Sequence, residues 1–150
     1  MIETTTYSKS ESIIVAMMVY VGKEIPYECR LLHCSMSNVR KKYPLLAELD
    51  PFNTNPNVPN GDYWFSFNLA IGLVRLTRAR ILTVDEVRKT IKISDEPEAR
   101  EILDKYIMPM CSEEEHAVLK EAAVEWEEQL FSNGILNHYS SVTKNMLEHR

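Results

Sequence analysis

Cysteine and histidine are the residues of this chain whose spacing best suits metal binding. Cys29 and His33 stand four positions apart, which places both on one face of a helix, and Cys111 and His116 form a second, looser pair. A Cys3His zinc site would need Cys29, Cys34 and Cys111 to meet one of these two histidines in the fold. The chain has no Cys-x-x-Cys knuckle, and two leucines inside the first pair indicate a core-facing helix instead. Because free cysteine is usually buried, we favour cysteines packed in the core and predict no metal or other cofactor.

Nucleophilic catalysis would need a cysteine or serine with a general base within reach. The four histidines, His33, His116, His138 and His149, follow no catalytic motif. The sequence also has no Gly-x-Gly-x-x-Gly segment, no Gly-Lys-Ser/Thr phosphate loop and no His-Glu-x-x-His pair. Only four glycines are present, which leaves little material for a glycine-rich phosphate cradle. The sequence therefore favours a protein that is not an enzyme.

Basic residues follow the most apolar stretch of the chain, DYWFSFNLAIGLVRLTRAR. Cations near the end of a helix stabilise its exposed carbonyl groups by about 0.3–1 kcal/mol each, which accounts for two arginines there. The others exceed what capping needs, and arginine binds carboxylates and phosphates through paired hydrogen bonds. The candidate contacts for a protein partner or a nucleic acid are Arg75, Arg78, Arg80, Arg88 and Lys89.

Charge is segregated along the chain, which the net charge of −5 conceals. Nine basic residues lie between positions 40 and 92, whereas residues 112–131 carry seven glutamates and one lysine. Three interpretations are open. The two segments neutralise each other within the fold or are merely solvated faces, the basic segments bind the phosphates of a nucleic acid, or basic and acidic surfaces of two molecules face each other.

Residues 112–131 form the clearest amphipathic segment, with apolar residues at steps of three and four. Trp126 belongs to this apolar set, and tryptophan is enriched both in cores and at interface hot spots. A helix that pairs with a second copy through Val118, Ala122 and Trp126 is therefore an alternative to one helix of a monomeric bundle. Trp126 joins the candidate partner-binding residues.

Helix start and stop signals recur along the chain. Capping boxes of the Ser/Thr-x-x-Glu type begin at Ser8, Thr83 and Ser112, and Gly22 suits the left-handed residue that ends a helix. Ser37 is placed to cap a further short helix. The predicted helices cover residues 13–21, 26–34, 37–43, 63–79, 83–91, 95–107, 112–131 and 135–147. Five β-branched residues make a buried strand a competitor over 13–21, but the paired cap and stop favour a helix there.

Residues 63–79 are apolar around the whole circumference of a helix over its first three turns. A helix at a protein surface keeps a polar face, so this one is expected to be surrounded by other elements. Gly72 costs about 1 kcal/mol relative to alanine in a helix interior, which close approach of a crossing helix would offset. The sequence therefore predicts that residues 63–79 form the central helix.

These patterns predict an all-α fold in a single domain over residues 1–150, an orthogonal or irregular bundle of six to eight helices around residues 63–79. Residues 1–8 are expected to be a flexible N-terminus, and residues 50–61, rich in proline and asparagine, a loop. The longest apolar runs fall short of the roughly 20 residues that span a bilayer, and no signal-peptide pattern is present. With three cysteines and no disulfide framework, we expect a cytoplasmic protein without a membrane partner.

One short stretch resembles a known family. An aromatic-rich helix that leads into RLTRAR after a Pro/Asn-rich loop is similar to a segment in the C-terminal lobe of the nucleoproteins of non-segmented negative-strand RNA viruses. It covers about thirty of the 150 residues, and those nucleoproteins are far longer than this chain. The resemblance implies that Arg75, Arg78 and Arg80 contact RNA.

The sequence as a whole favours a non-catalytic helical protein–protein interaction module, self-associating or acting as a small regulatory adaptor. Segregated charge and the acidic amphipathic helix indicate a protein partner, and a second copy of the chain is one candidate. The alternative is a small RNA-binding protein of nucleoprotein type. An enzyme or a zinc protein has less support.

Overall fold

The computed structural model describes residues 6–53 and 64–131. Its elements follow one another as α1 (Lys9–Val21), β1 (Ile25–Pro26), α2 (Cys29–Lys42), a 3-10 helix (Pro44–Leu49), β2 (Phe52–Asn53), β3 (Phe65–Ser66), α3 (Phe67–Arg78), β4 (Leu82–Asp85), β5 (Thr90–Ile93), α4 (Glu96–Ile102), a π-helical turn (Leu103–Ile107) and α5 (Glu113–Phe131). β1, β5 and β4 form a three-stranded antiparallel sheet, and β2 pairs with β3. The predicted all-α class is therefore wrong, because helices are combined with two small sheets.

α1 is the central helix. Ser8 and Glu11 form the predicted capping box, in which the Ser8 hydroxyl accepts the Glu11 N–H at 3.1 Å and the Glu11 carboxylate accepts the Ser8 N–H. Gly22 ends the helix at φ 70°, as predicted. Every residue from position 11 to position 19 is buried, and α1 contacts α3, α4, α5, the 3-10 helix, the π-helical turn and β5. Only a helix that is apolar on nearly all sides can be enclosed in this way.

α3 is shorter and more exposed than the central helix predicted over residues 63–79, and that prediction is wrong. It buries one face, Leu69, Gly72, Leu73 and Leu76, while its opposite face remains exposed. The helical wheel predicted an enclosed helix because it counted apolar residues, but α1 covers α3 from one side. The predicted close approach at Gly72 is confirmed, since a Cβ atom there would lie 2.5 Å from Cδ1 of Ile14 on α1.

A hairpin of β4 and β5 replaces the helix predicted over residues 83–91. The Asp85 carboxylate accepts the backbone N–H groups of Val87 and Arg88, both at 3.0 Å, and this bonding favours a turn. Lys89 completes the turn in the left-handed region, at φ 57°. β-branched residues at positions 83, 84, 90, 91 and 93 suit the two strands. The Thr-x-x-Glu pattern at Thr83 is therefore not a helix cap.

α2 is one helix where the sequence predicted two. Its cap is Glu28, whose carboxylate accepts the Leu31 N–H at 2.8 Å, while Pro26 lies in β1. Ser37, the predicted cap of a separate helix, is buried inside α2. The predicted helix over residues 95–107 is confirmed in extent, as α4 and the π-helical turn together.

α5 begins with the predicted capping box, in which the Ser112 hydroxyl accepts the Glu115 N–H at 3.1 Å. Its buried residues are those expected from the amphipathic pattern: Leu119, Ala122, Ala123, Trp126 and Leu130. The buried apolar residues of α5 belong to one cluster with those of α1 and α2. In the two ranges that the structure describes, no helix is both long and apolar enough to cross a membrane.

The short β2–β3 pair joins Phe52 to Ser66 and Asn53 to Phe65. This pairing brings the two ends of the Pro/Asn-rich segment together next to the start of α3. Most of the predicted loop over residues 50–61 lies outside the described residues, as do most of the predicted flexible N-terminus over residues 1–8 and the predicted helix over residues 135–147.

Candidate functional site

The outer face of α3 carries an apolar stripe. Phe67, Ile71 and Val74 recur at helical spacing and are 59%, 51% and 45% exposed, and Trp64, just before β3, is 51% exposed. We call these four residues the α3 face. Single exposed apolar residues are common, but a run of large ones along one side of a helix is typical of a protein interaction site.

A buried network fixes the start of α3. The Ser66 hydroxyl accepts the Leu69 N–H at 3.0 Å as the helix cap and donates to the backbone oxygen of Leu49. The Ser66 N–H donates to Nδ1 of His33 on α2 at 3.0 Å. The His33 ring stacks on Phe65, with 4.2 Å between ring centroids. The first turn of α3 is therefore tied to both α2 and the 3-10 helix.

His33 acts in this network as a neutral acceptor. It is almost fully buried, and burial lowers its pKa from 6.5 to about 4. An uncharged ring carries a single proton, and because the Ser66 N–H donates to Nδ1, that proton lies on Nε2. Phe65 in turn packs edge-on against Phe67, at 5.1 Å between centroids, so the network reaches the α3 face.

Two of the predicted site residues extend the α3 face at its C-terminal end. Arg75 and Arg78 are exposed in the last turn, and Arg78 lies one turn beyond Val74. Arg75 forms a pair with Glu11 of α1 at 3.6 Å, but its side chain remains 65% exposed. Because the Arg75 side chain is mostly exposed and Arg78 forms no ion pair in the described part of the chain, both guanidinium groups are accessible to a partner.

Arg80 occupies the residue that follows the helix end. The Arg80 N–H bonds to the oxygen of Thr77 and the Ile81 N–H to that of Leu76, both at 3.0 Å, which is a Schellman motif. Arg80 adopts φ 66°, a conformation that favours glycine. Its exposed side chain leaves the fold beside the base of the hairpin, where its backbone oxygen accepts the Ser94 hydroxyl.

Arg88 and Lys89 lie apart from the three arginines of the α3 end. They belong to the turn of the β4–β5 hairpin, whereas Arg80 precedes its base, and a four-residue strand spans about 13 Å. Arg88 is paired with Glu24 at 2.7 Å. The five predicted basic residues therefore form two groups instead of one cluster.

Trp126 is only 1% exposed, and its indole N–H donates to the Ser35 hydroxyl at 3.0 Å. It lies in the core between α5 and α2, so its side chain is not accessible to a partner. Ala122 is buried on the same side of α5. The predicted pairing face for a second copy is thus mainly directed into the fold. It consists of Val118, Ala122 and Trp126.

The exposed side of α5 is a different set of residues. We call Ala117, Glu121, Val124, Glu128 and Phe131 the α5 face, since they are exposed at helical spacing. Val124 is 54% exposed and lies in a cleft of about 530 Å³ that Glu121 and Glu128 also line.

The acidic charge of the α5 face is incompletely neutralised. Lys42 of α2 forms an ion pair with Glu125 at 2.7 Å beside this face, and lowers the pKa of the Glu125 carboxyl. Glu121 and Glu128 form no ion pair within the described part of the chain. The interpretation that the basic and acidic segments neutralise each other therefore holds for Lys42 alone among the basic residues considered.

The predicted packing of the cysteines in the core is wrong, because Cys29 is exposed and Cys34 and Cys111 are only partly buried. With the described histidines, the cysteines do not form the arrangement required for a zinc site. The Tyr20 hydroxyl is hydrogen-bonded to Nε2 of His116, and burial raises the pKa of Tyr20 to about 12. Burial also raises the pKa of the Cys111 thiol, which keeps it protonated and a poor nucleophile. His33 is committed to Ser66. Across residues 6–53 and 64–131, no three His, Cys, Asp or Glu side chains are close enough to hold a metal ion.

The residues of the α3 face were assigned to the core by sequence reasoning. A signal for their exposure was nevertheless present. Asn68, Arg75 and Arg78 recur at steps of seven and three residues with Ile71 between them, which is a polar stripe at helical spacing. That stripe marks the outward side of α3 and includes Ile71.

Comparison with protein-family models, with curated proteins and with solved structures finds no match to this chain. The resemblance of residues 50–80 to viral nucleoproteins gains no support from these comparisons and stays a prediction from the sequence.

Proposed function

We propose that this chain is a protein-binding module and that the α3 face is its binding site. The observation that carries the proposal is the exposure of Trp64, Phe67, Ile71 and Val74 on and just before a helix whose other side is buried in the core. Apolar anchors at positions i, i+4 and i+7 are typical of helix-in-groove recognition. Arg75 and Arg78 supply the charged rim, where they can pair with acidic groups of a partner.

The energy available at this face suits a specific contact. Burying a large apolar side chain completely contributes about 1.5–3 kcal/mol. Because each of the four residues is about half exposed, covering the remainder contributes about 1 kcal/mol per residue before the costs of association. α3 is capped at both ends and packed on α1, so little additional ordering is needed on binding.

The test compares Ile71→Glu with Val87→Glu. Both positions are exposed and apolar, but Val87 is 92% exposed at the hairpin turn, away from the α3 face. Glutamate is a good helix former, so Ile71→Glu should leave α3 folded, which circular dichroism checks. Affinity capture with the full chain, followed by identification of bound proteins, should show partners that Ile71→Glu loses and Val87→Glu retains. Partners retained equally by all three proteins would refute the α3 face as the site.

Nucleic-acid binding is the second candidate function. Arg78 and Arg80 favour it, because both are exposed and form no ion pair in the described part of the chain. The division of the five basic residues into two groups counts against a continuous phosphate-binding groove. Salt-dependent retention of RNA by the wild-type chain, lost in Arg78→Glu with Arg80→Glu, would favour this function over the first.

A further inference from the structure

We propose that the partner of the α3 face is the α5 face of a second copy of this chain. The inference rests on the proposed function, since it names the occupant of the same site. The copies would associate head to tail, each contributing its α3 face to one neighbour and its α5 face to the other.

Charge is the first argument for this pairing. α3 contains Arg75 and Arg78 and no acidic residue, whereas α5 contains seven glutamates and one lysine. Glu121 and Glu128 lie on the exposed α5 face and form no ion pair within the described residues, although Lys42 and Lys120 line the same cleft. Opposite charges at the rims of two apolar stripes steer association and fix its register.

Spacing is the second argument, and it selects an antiparallel arrangement. Phe67 and Val74 are seven residues apart on the α3 face, and Val124 and Phe131 are seven apart on the α5 face, about 10 Å in both helices. With Val74 against Val124, antiparallel helices bring Phe67 to Phe131. A parallel arrangement would instead place Phe67 against Ala117, a much smaller contact.

The same register pairs the charges. Arg78 is four residues after Val74, and Glu121 is three residues before Val124, so antiparallel helices place them at the same level, about 5 Å from the valines. One arrangement thus accounts for the apolar and the charged residues of both faces.

The association is of the head-to-tail type. In each contact the α3 face of one molecule binds the α5 face of the next. A dimer therefore still has one free α5 face and one free α3 face, to which further molecules can bind. Variants that disable one face are therefore expected to behave differently alone and in a mixture, which provides a sharp test.

The experiment measures molar mass by sedimentation or light scattering for the full chain at increasing concentration. Val74→Glu disables the α3 face, Val124→Glu disables the α5 face, and Val87→Glu is the control. The wild type and the control should form oligomers, and each single-face variant alone should stay monomeric. An equimolar mixture of the two variants should form a one-to-one dimer that grows no further.

Charge reversal tests the register. Arg78→Glu and Glu121→Arg should each weaken association about tenfold or more, and the chain that carries both should regain most of the wild-type affinity. Glu128→Arg should have a smaller effect than Glu121→Arg, because Glu128 lies at the other end of the α5 face in the antiparallel arrangement.

Several results would overturn this inference. The first three are a wild type that is monomeric at all concentrations, a Val124→Glu variant that forms normal oligomers, and a mixture of correctly folded variants that forms no dimer. A fourth is an oligomer that contains nucleic acid, detected by its absorbance at 260 nm, when Arg78→Glu removes that nucleic acid. Loss of a different bound protein by Ile71→Glu would refute the second copy as the occupant, while supporting the proposed function.

Discussion

Replacing Gly72 by alanine tests the crossing of α1 and α3, which sets the direction in which α3 presents its outer face. A Cβ atom at position 72 would lie 2.5 Å from Cδ1 of Ile14. Its next neighbours, Cγ of Glu11 and Cγ1 of Ile14, would lie at 3.8 and 3.9 Å, which are ordinary contacts. The conflict is therefore with a single methyl group, and Ile14 is fully buried, so that methyl group has little room to move.

Two effects of opposite sign determine the stability of Gly72→Ala. Alanine is favoured over glycine in a helix interior by about 1 kcal/mol, but overpacking of a core costs about 1–3 kcal/mol. We expect a net loss of about 1 kcal/mol. Ile14→Val removes Cδ1 and alone costs about 1 kcal/mol. In the double variant the alanine methyl fills the vacated space, so its stability should return to about that of the wild type, a coupling of about 2 kcal/mol.

Equilibrium unfolding in urea, followed by circular dichroism, gives the four free energies of unfolding that this cycle needs. Ala70→Gly, in the same helix but only partly buried, measures the propensity difference without the contact. If the two substitutions proved additive, or if Gly72→Ala were more stable than the wild type by the full propensity difference, Ile14 would not pack against position 72. The orientation assigned to the α3 face would then be wrong.

Three further predictions concern buried or strained residues. The pKa of His33 is about 4 in the folded state and 6.5 in the unfolded state, so protonation favours unfolding. The contribution of neutral His33 to the free energy of unfolding is therefore intact above pH 6.5, and about 3 kcal/mol of it is lost as the pH falls towards 4. Unfolding free energies between pH 7 and pH 4 should show a smaller loss in His33→Asn, and an equal loss would contradict the assignment. Arg80→Gly should raise the free energy of unfolding by about 1 kcal/mol, because glycine adopts the left-handed conformation without strain. An unchanged or lower stability would argue against that conformation. Trp126→Phe should lower the free energy of unfolding by about 1–3 kcal/mol, because the buried Ser35 hydroxyl loses its donor. Adding Ser35→Ala to that variant should recover part of the loss. Equal melting temperatures for the wild type, the single variant and the double variant would contradict the hydrogen bond.

Features that depend on neighbouring residues could be predicted from the sequence. The capping boxes at Ser8 and Ser112 and the left-handed Gly22 involve contacts within four residues, so their patterns carry the information needed. The buried side of α5 follows from apolar spacing alone. Thr83 shows where prediction from local patterns fails, because its Thr-x-x-Glu pattern begins in strand β4 and not in a helix. There β5 pairs with Ile25 of β1, from a distant part of the chain, and no local pattern reports that pairing.

The candidate site was predicted in part. Sequence reasoning singled out the arginines at the end of α3, because basic residues after an apolar run are visible in the sequence. It could not show that Arg75 meets Glu11 and that Arg88 meets Glu24, since each pair joins residues more than sixty positions apart. The exposure of the α3 face was indicated only by the polar stripe of Asn68, Arg75 and Arg78, because it depends on which side of α3 is covered by α1. Composition alone does not specify that side.

The burial of α1 has a consequence for how the chain is made. α1 is complete at Val21, but α5, the last helix of the described residues that covers it, ends at Phe131, 110 residues later (131 − 21). At synthesis rates of about 5–20 residues per second, the ribosome needs roughly 5–20 s to produce that stretch. For that interval the most apolar helix of the nascent chain lacks its full cover, which is when chaperone capture or aggregation competes most strongly with folding.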